Sequence, residues 1–128
     1  MSQISRKLHS VEGGGLMFRC PGCNENHMVS VGDGAGPRWG YNGHAERPTF
    51  TPSINVRGIR APNGAEMTEA EEREYDALFA AGGAEAVLSS RFGTVCHSFV
   101  TDGRISFLGD CTHDLAGFTV DLPDWEAT

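Results

Sequence analysis

The chain has no run of about 18 apolar residues, the length needed to cross a bilayer, so no membrane span is expected. Its first ten residues, MSQISRKLHS, carry no apolar segment, so no secretory leader is expected either. Basic residues are scarce. Ten Lys and Arg stand against 17 Asp and Glu, a net charge of −7. That balance argues against nucleic acid or an anionic membrane as partner, because both call for a basic surface. It leaves room for a protein partner with a basic patch. Familiar catalytic signatures are missing too. There is no H-E-x-x-H for a zinc protease, and the glycine-rich GDGAG at 32–36 is followed by neither Lys-Ser/Thr nor a helical pattern, so it is no phosphate loop. The 128 residues fit one domain, spanning 1–128, and a cytoplasmic setting in which thiols stay reduced.

What is present reads as a β-rich α+β protein. The expected fold is a small antiparallel sheet domain with a zinc-ribbon-like knuckle and a helical insertion at 61–93. GLMFRC (15–20) and HMVSV (27–31) look like strands flanking the loop CPGCNEN. Residues 1–12 are polar and read as a partly ordered tail or an edge strand. In ERPTFTPSINVRGIR, prolines 48 and 52 predict an irregular first half, with a strand from Ser53 to Ile59. The middle changes character. Thr68 and Glu71 have capping-box spacing, helix formers follow, and Gly82-Gly83 predicts a stop before a second short helix in AEAVLSSRF. Tyr75, Leu78 and Phe79 share one stripe of the first helix. Strands return near 94–101 and 104–108 around Asp102-Gly103, and again at 117–123. WGYNGHAERPTFTPS gathers Trp39, Tyr41, His44, Glu46, Arg47 and Phe50, either as one wall of the core or as a recognition surface.

The chemistry-bearing residues cluster. All four cysteines lie in two tight groups, Cys20-Pro-Gly-Cys23 and the stretch CHSFVTDGRISFLGDCTH from Cys96 to His113. Cys-x₂-Cys with Pro and Gly inside is a metal knuckle, and Zn²⁺ takes four such ligands in structural sites. Cys20, Cys23, Cys96 and Cys111 supply four, with His97, His113 and His27 as possible substitutes for one of them. Asp-Gly favours a two-residue type I′ loop pairing Thr101 with Arg104. In that register Cys96 and, if the second strand continues, Cys111 share a face, while His97, Phe99, Leu108 and Asp110 take the other. A three-residue loop would separate the cysteines. A site closed by four protein ligands is structural. Three ligands and a water would make it catalytic, with His97, Asp110, His113 and Glu46 as candidate bases.

FRCPGC, RWGYNG, ERPTFTPSI and CHSFVTDGRISFLGDCTHDLAGFTVDLP, about residues 17–60 and 94–125, resemble a family of small bacteriophage and prophage proteins often labelled ammonia monooxygenase. That label describes a membrane copper enzyme, which a chain without a membrane span does not fit. Relatives in that family have only a short link at 61–93, which implies an insertion there. The knuckle, a Trp-containing strand, the PSI of residues 52–54 and a later Cys are also similar to a second family, found near bacterial ubiquitin-like conjugation genes. That similarity implies a shared zinc-bearing β scaffold, and neither resemblance supplies a reaction. The expectation from sequence is a phage-encoded accessory protein that binds a protein partner and inhibits a host or defence enzyme. A zinc-dependent hydrolase is the alternative, and a virion or assembly component the minor one.

Overall fold

The computed structural model describes residues 2–62 and 66–125. In chain order the strands are β1 (Ser2–Gln3), β2 (Leu8–Val11), β3 (Gly15–Cys20), β4 (Glu25–Ser30), β5 (Gly40–Tyr41) and β6 (Phe50–Ile59). The helix α1 (Glu69–Leu88) follows, and then β7 (Gly93–Thr101), β8 (Arg104–Phe107) and β9 (Thr119–Asp121). They form two sheets, ordered β1-β2-β3-β4 and β5-β6-β7-β8-β9. The small, mostly antiparallel sheet domain with one helix among the described residues agrees with the coarse fold expected from sequence. The chain divides into two compact units: Met1–Val56 together with Cys96–Thr128, and Arg57–Val95.

In the first unit, strand periodicity sets the core. Along β3, Leu16, Phe18 and Cys20 are buried while Met17 and Arg19 are half-buried, the alternation a pleated strand imposes. Leu8, Val29, Phe50, Val100, Ile105 and Leu122 complete the centre of the core. The polar reading of residues 1–12 therefore needs correcting. Within residues 2–12, β1 alone lies at a sheet edge. β2 lies inside its sheet, paired with β3 from Leu8↔Phe18 to Val11↔Gly15, and Leu8 is completely buried. Four apolar residues spread among polar ones gave too weak a pattern to mark that strand. β6 also begins earlier than the prolines suggest. It pairs with β5 only through Thr51 and Phe50, so Pro52, which follows a cis peptide bond, lies past the end of that ladder and removes no bond from it.

The β7–β8 hairpin has the two-residue loop. Asp102 (φ 51°) and Gly103 (φ 78°) both adopt the left-handed conformation that type I′ requires, and Thr101 pairs with Arg104. Cys96, Ser98, Val100, Ile105 and Phe107 are buried on one face, and His97, Phe99, Arg104 and Ser106 lie on the other. Trp39 and Tyr41 are half-buried against the core, whereas His44, Glu46 and Arg47 are exposed.

In the second unit, Thr68 caps α1. Its hydroxyl accepts from the Glu71 amide at 3.1 Å, and the Glu71 carboxylate accepts from the Thr68 amide at 2.8 Å. The helix assignment runs on to Leu88, but Gly83 leaves helical conformation (φ 67°, ψ −158°), so the expected break is a kink. Tyr75 packs edge-on to the buried Phe92 (ring centroids 6.0 Å apart), while Phe79 stays exposed and does not complete the expected buried stripe. α1 is not long and apolar enough to cross a membrane.

Candidate active site beside a candidate metal centre

The metal centre is built by three strands. Cys20 ends β3, and the chain turns through Pro21 and Gly22 so that the Cys23 amide donates to Cys20 Sγ at 3.4 Å and the Asn24 amide to the Cys20 carbonyl at 2.9 Å. β4 then returns with His27 opposite Phe18, which puts its ring on the face that buries Phe18 and Cys20. β7 contributes Cys96, whose Sγ lies 3.8 Å from that of Cys20. That is far beyond a disulfide bond, and close to the spacing of about 3.8 Å between two thiolates on one tetrahedral zinc. Cys20, Cys23, His27 and Cys96 bring their ligand atoms within 4.8 Å of one another and can hold a metal ion.

The donor set fits such an ion. Three sulfurs and an imidazole match a common structural zinc set. His27 Nε2 is buried with no hydrogen-bond partner among the described residues, a costly state that a bound metal relieves. Hydrogen bonds from Cys23 and Cys96 push the Cys20 thiol well down, and the contacts of Cys96 with Cys20 and Cys23 push Cys96 up. Burial opposes a charge on His27, but the adjoining Cys20 and Cys23 sulfurs outweigh burial and raise it to about 9.

The sequence expectation of four cysteines differs from this grouping. Cys111 lies in an adjoining group with Cys96 and His113, again within 4.8 Å. β8 stops at Phe107, and Cys111 lies in the turn that follows. The Cys111 sulfur meets the His97 backbone instead, accepting from its amide and donating to its carbonyl, both at 3.2 Å. His113 accepts from the Leu115 amide at 3.2 Å and packs edge-on to Phe107. Its ring fills the space where a Cβ on Gly22 would lie, so the knuckle needs glycine there. Glu46 is exposed and pairs with Arg6 at 3.4 Å.

His97 faces away from Cys96 and joins a second constellation. Its Nε2 lies 3.0 Å from Ser53 Oγ, and its Nδ1 lies 3.3 Å from the Asp110 carboxylate. A carboxylate only accepts, so Nδ1 carries the proton and Nε2 is left to accept from the Ser53 hydroxyl. Ser53 is half-buried on β6, the sheet neighbour of β7, and its carbonyl accepts from Trp39 Nε1 at 3.2 Å. The His97 side chain keeps 26% of its surface exposed and Asp110 58%, so the constellation opens to solvent. A serine hydroxyl bonded to an imidazole, itself oriented by a carboxylate, is the arrangement of an activated nucleophile. Of the bases expected from sequence, His97 and Asp110 come together here. Ser53 was not among the expected site residues.

A family model described as "Bacterial ubiquitination-like system serine protease (BubE)" matches residues 2–108. The chain belongs to the BubE family. No curated protein and no solved structure matches it. The BubE match agrees with the second of the two resemblances, the one to proteins found near ubiquitin-like conjugation genes. It spans Ser53, His97 and the group Cys20, Cys23, His27 and Cys96, and it ends before Asp110, Cys111 and His113.

Proposed function

We propose that this chain is a serine protease of a bacterial ubiquitin-like conjugation system. Ser53 is the nucleophile, His97 the general base and Asp110 the group that orients His97. The observation that carries the proposal is the continuous Ser53–His97–Asp110 hydrogen-bonded chain of 3.0 and 3.3 Å. The family description supports the reaction class and the kind of system. In the reaction, Ser53 Oγ attacks the scissile carbonyl carbon while His97 Nε2 takes its proton. His97 then returns that proton to the departing amine, leaving an acyl-enzyme. Water, deprotonated by His97, attacks the ester, and the hydroxyl of Ser53 re-forms.

The metal in this reading is Zn²⁺, and its part is structural, in a ribbon-like knuckle. Cys20, Cys23, His27 and Cys96 would supply all four protein ligands of a structural zinc and leave no place for a reactive water, which favours the serine mechanism over a zinc-dependent hydrolase. A test is hydrolysis of p-nitrophenyl acetate by the purified zinc-loaded chain. A burst of about one equivalent, absent in Ser53→Ala and abolished by phenylmethylsulfonyl fluoride, supports the proposal. An inert chain that retains its zinc supports instead the accessory protein that works by binding alone. The net charge of −7 is compatible with that second reading.

A further inference from the structure

We propose that Cys111 is a positioning residue that holds Asp110 against His97; this rests on the serine-protease reading of Ser53, His97 and Asp110. The support comes from the way the β7–β8 ladder ends. Thr101↔Arg104 is the pair next to the loop, and hydrogen-bonded pairs alternate with non-bonded ones along an antiparallel ladder. Counting outwards, Phe99↔Ser106 is the next bonded pair, and His97 with Leu108 stands where the third would fall and should exchange two bonds. One is present: the Leu108 amide donates to the His97 carbonyl at 2.9 Å. The other is replaced. The Leu108 carbonyl accepts from the Cys111 amide at 3.2 Å, closing a turn through Gly109 and Asp110. The His97 amide donates to Cys111 Sγ at 3.2 Å. The thiol then donates back to the His97 carbonyl at 3.2 Å.

A side-chain sulfur has thus taken the place of a backbone carbonyl in the ladder. The exchange lets the chain turn immediately after β8 while its next residues stay fastened to His97. Asp110 sits inside that turn and reaches His97 Nδ1. Cys96 and Cys111 therefore fasten the base from two sides, Cys96 through the metal group and Cys111 through the His97 backbone. Serine can replace the sulfur in kind, because a hydroxyl both accepts and donates, and alanine can do neither.

The test compares the full chain with its Cys111→Ala, Cys111→Ser and Ser53→Ala variants, loaded with zinc. Bound zinc, the rate of Ser53 labelling by a fluorophosphonate, and the His97 Nδ1–H proton resonance are measured. Cys111→Ala should keep its zinc, label about tenfold to a hundredfold more slowly, and lose the downfield Nδ1–H resonance. Cys111→Ser should recover most of both signals. Loss of zinc in Cys111→Ala would make the residue a ligand and overturn the proposal, as would wild-type labelling and an unchanged resonance. If Cys111→Ala does not fold, the serine variant decides alone: recovery supports the two-bond exchange and failure to recover rejects it. A wild-type chain that does not label at Ser53 refutes the catalytic reading itself. The Nδ1–H resonance still decides whether Cys111 places Asp110 on His97.

Discussion

Ser53 and His97 stand 44 residues apart in sequence, yet the serine hydroxyl lies 3.0 Å from the imidazole Nε2. Two features of the fold produce this contact. β6 and β7 are neighbours in one sheet. Side chains alternate along β7, so with Cys96, Ser98 and Val100 in the core His97 takes the opposite face.

In the proposed mechanism Asp110 orients the base, and with more than half of its side-chain surface exposed it contributes little to the fold. Asp110→Asn should therefore leave the melting curve within about 1 kcal/mol of the parent. The rate of Ser53 acylation should fall on the order of a thousandfold or more, because the amide can hold the wrong imidazole tautomer. Fluorophosphonate labelling rates and thermal melts on the same preparations check this. Equal labelling rates would remove Asp110 from the mechanism.

The metal group should hold about one equivalent of zinc in protein purified under reducing conditions without chelator. Cys20→Ala and His27→Ala should each lose that metal and unfold or melt much earlier, since the binding free energy of a structural zinc is also folding free energy. Elemental analysis paired with circular dichroism reads both effects. A His27→Ala variant with full zinc content would return the fourth place to another residue.

Much of this arrangement was legible in the sequence where the signal is local. Asp-Gly dictated the hairpin register that pairs Thr101 with Arg104. Cys-Pro-Gly-Cys marked the knuckle, and Thr68 with Glu71 marked the helix start. The illegible parts depend on long-range pairing. Ser53 acquires its partner only when β6 docks beside β7, and nothing within TFTPSI announces that. His27 comes beside the knuckle because β4 pairs it opposite Phe18, and Cys111 groups with Cys96 and His113 through the turn after β8.

Leu8 supplies a check on the part of the fold that the polar N-terminal sequence concealed. It is fully buried within the core. Leu8→Ala should cost about 2–5 kcal/mol in denaturant unfolding, the range for a large-to-small core substitution. A partly ordered tail would lose less than about 0.5 kcal/mol.

The most direct measurement is mass-spectrometric mapping of the adduct formed when the zinc-loaded chain reacts with a fluorophosphonate. The catalytic assignment predicts one adduct, on Ser53, that disappears in Ser53→Ala and forms far more slowly in His97→Ala while zinc stays bound. An unmodified chain, or an adduct on a different serine that persists in Ser53→Ala, would contradict it.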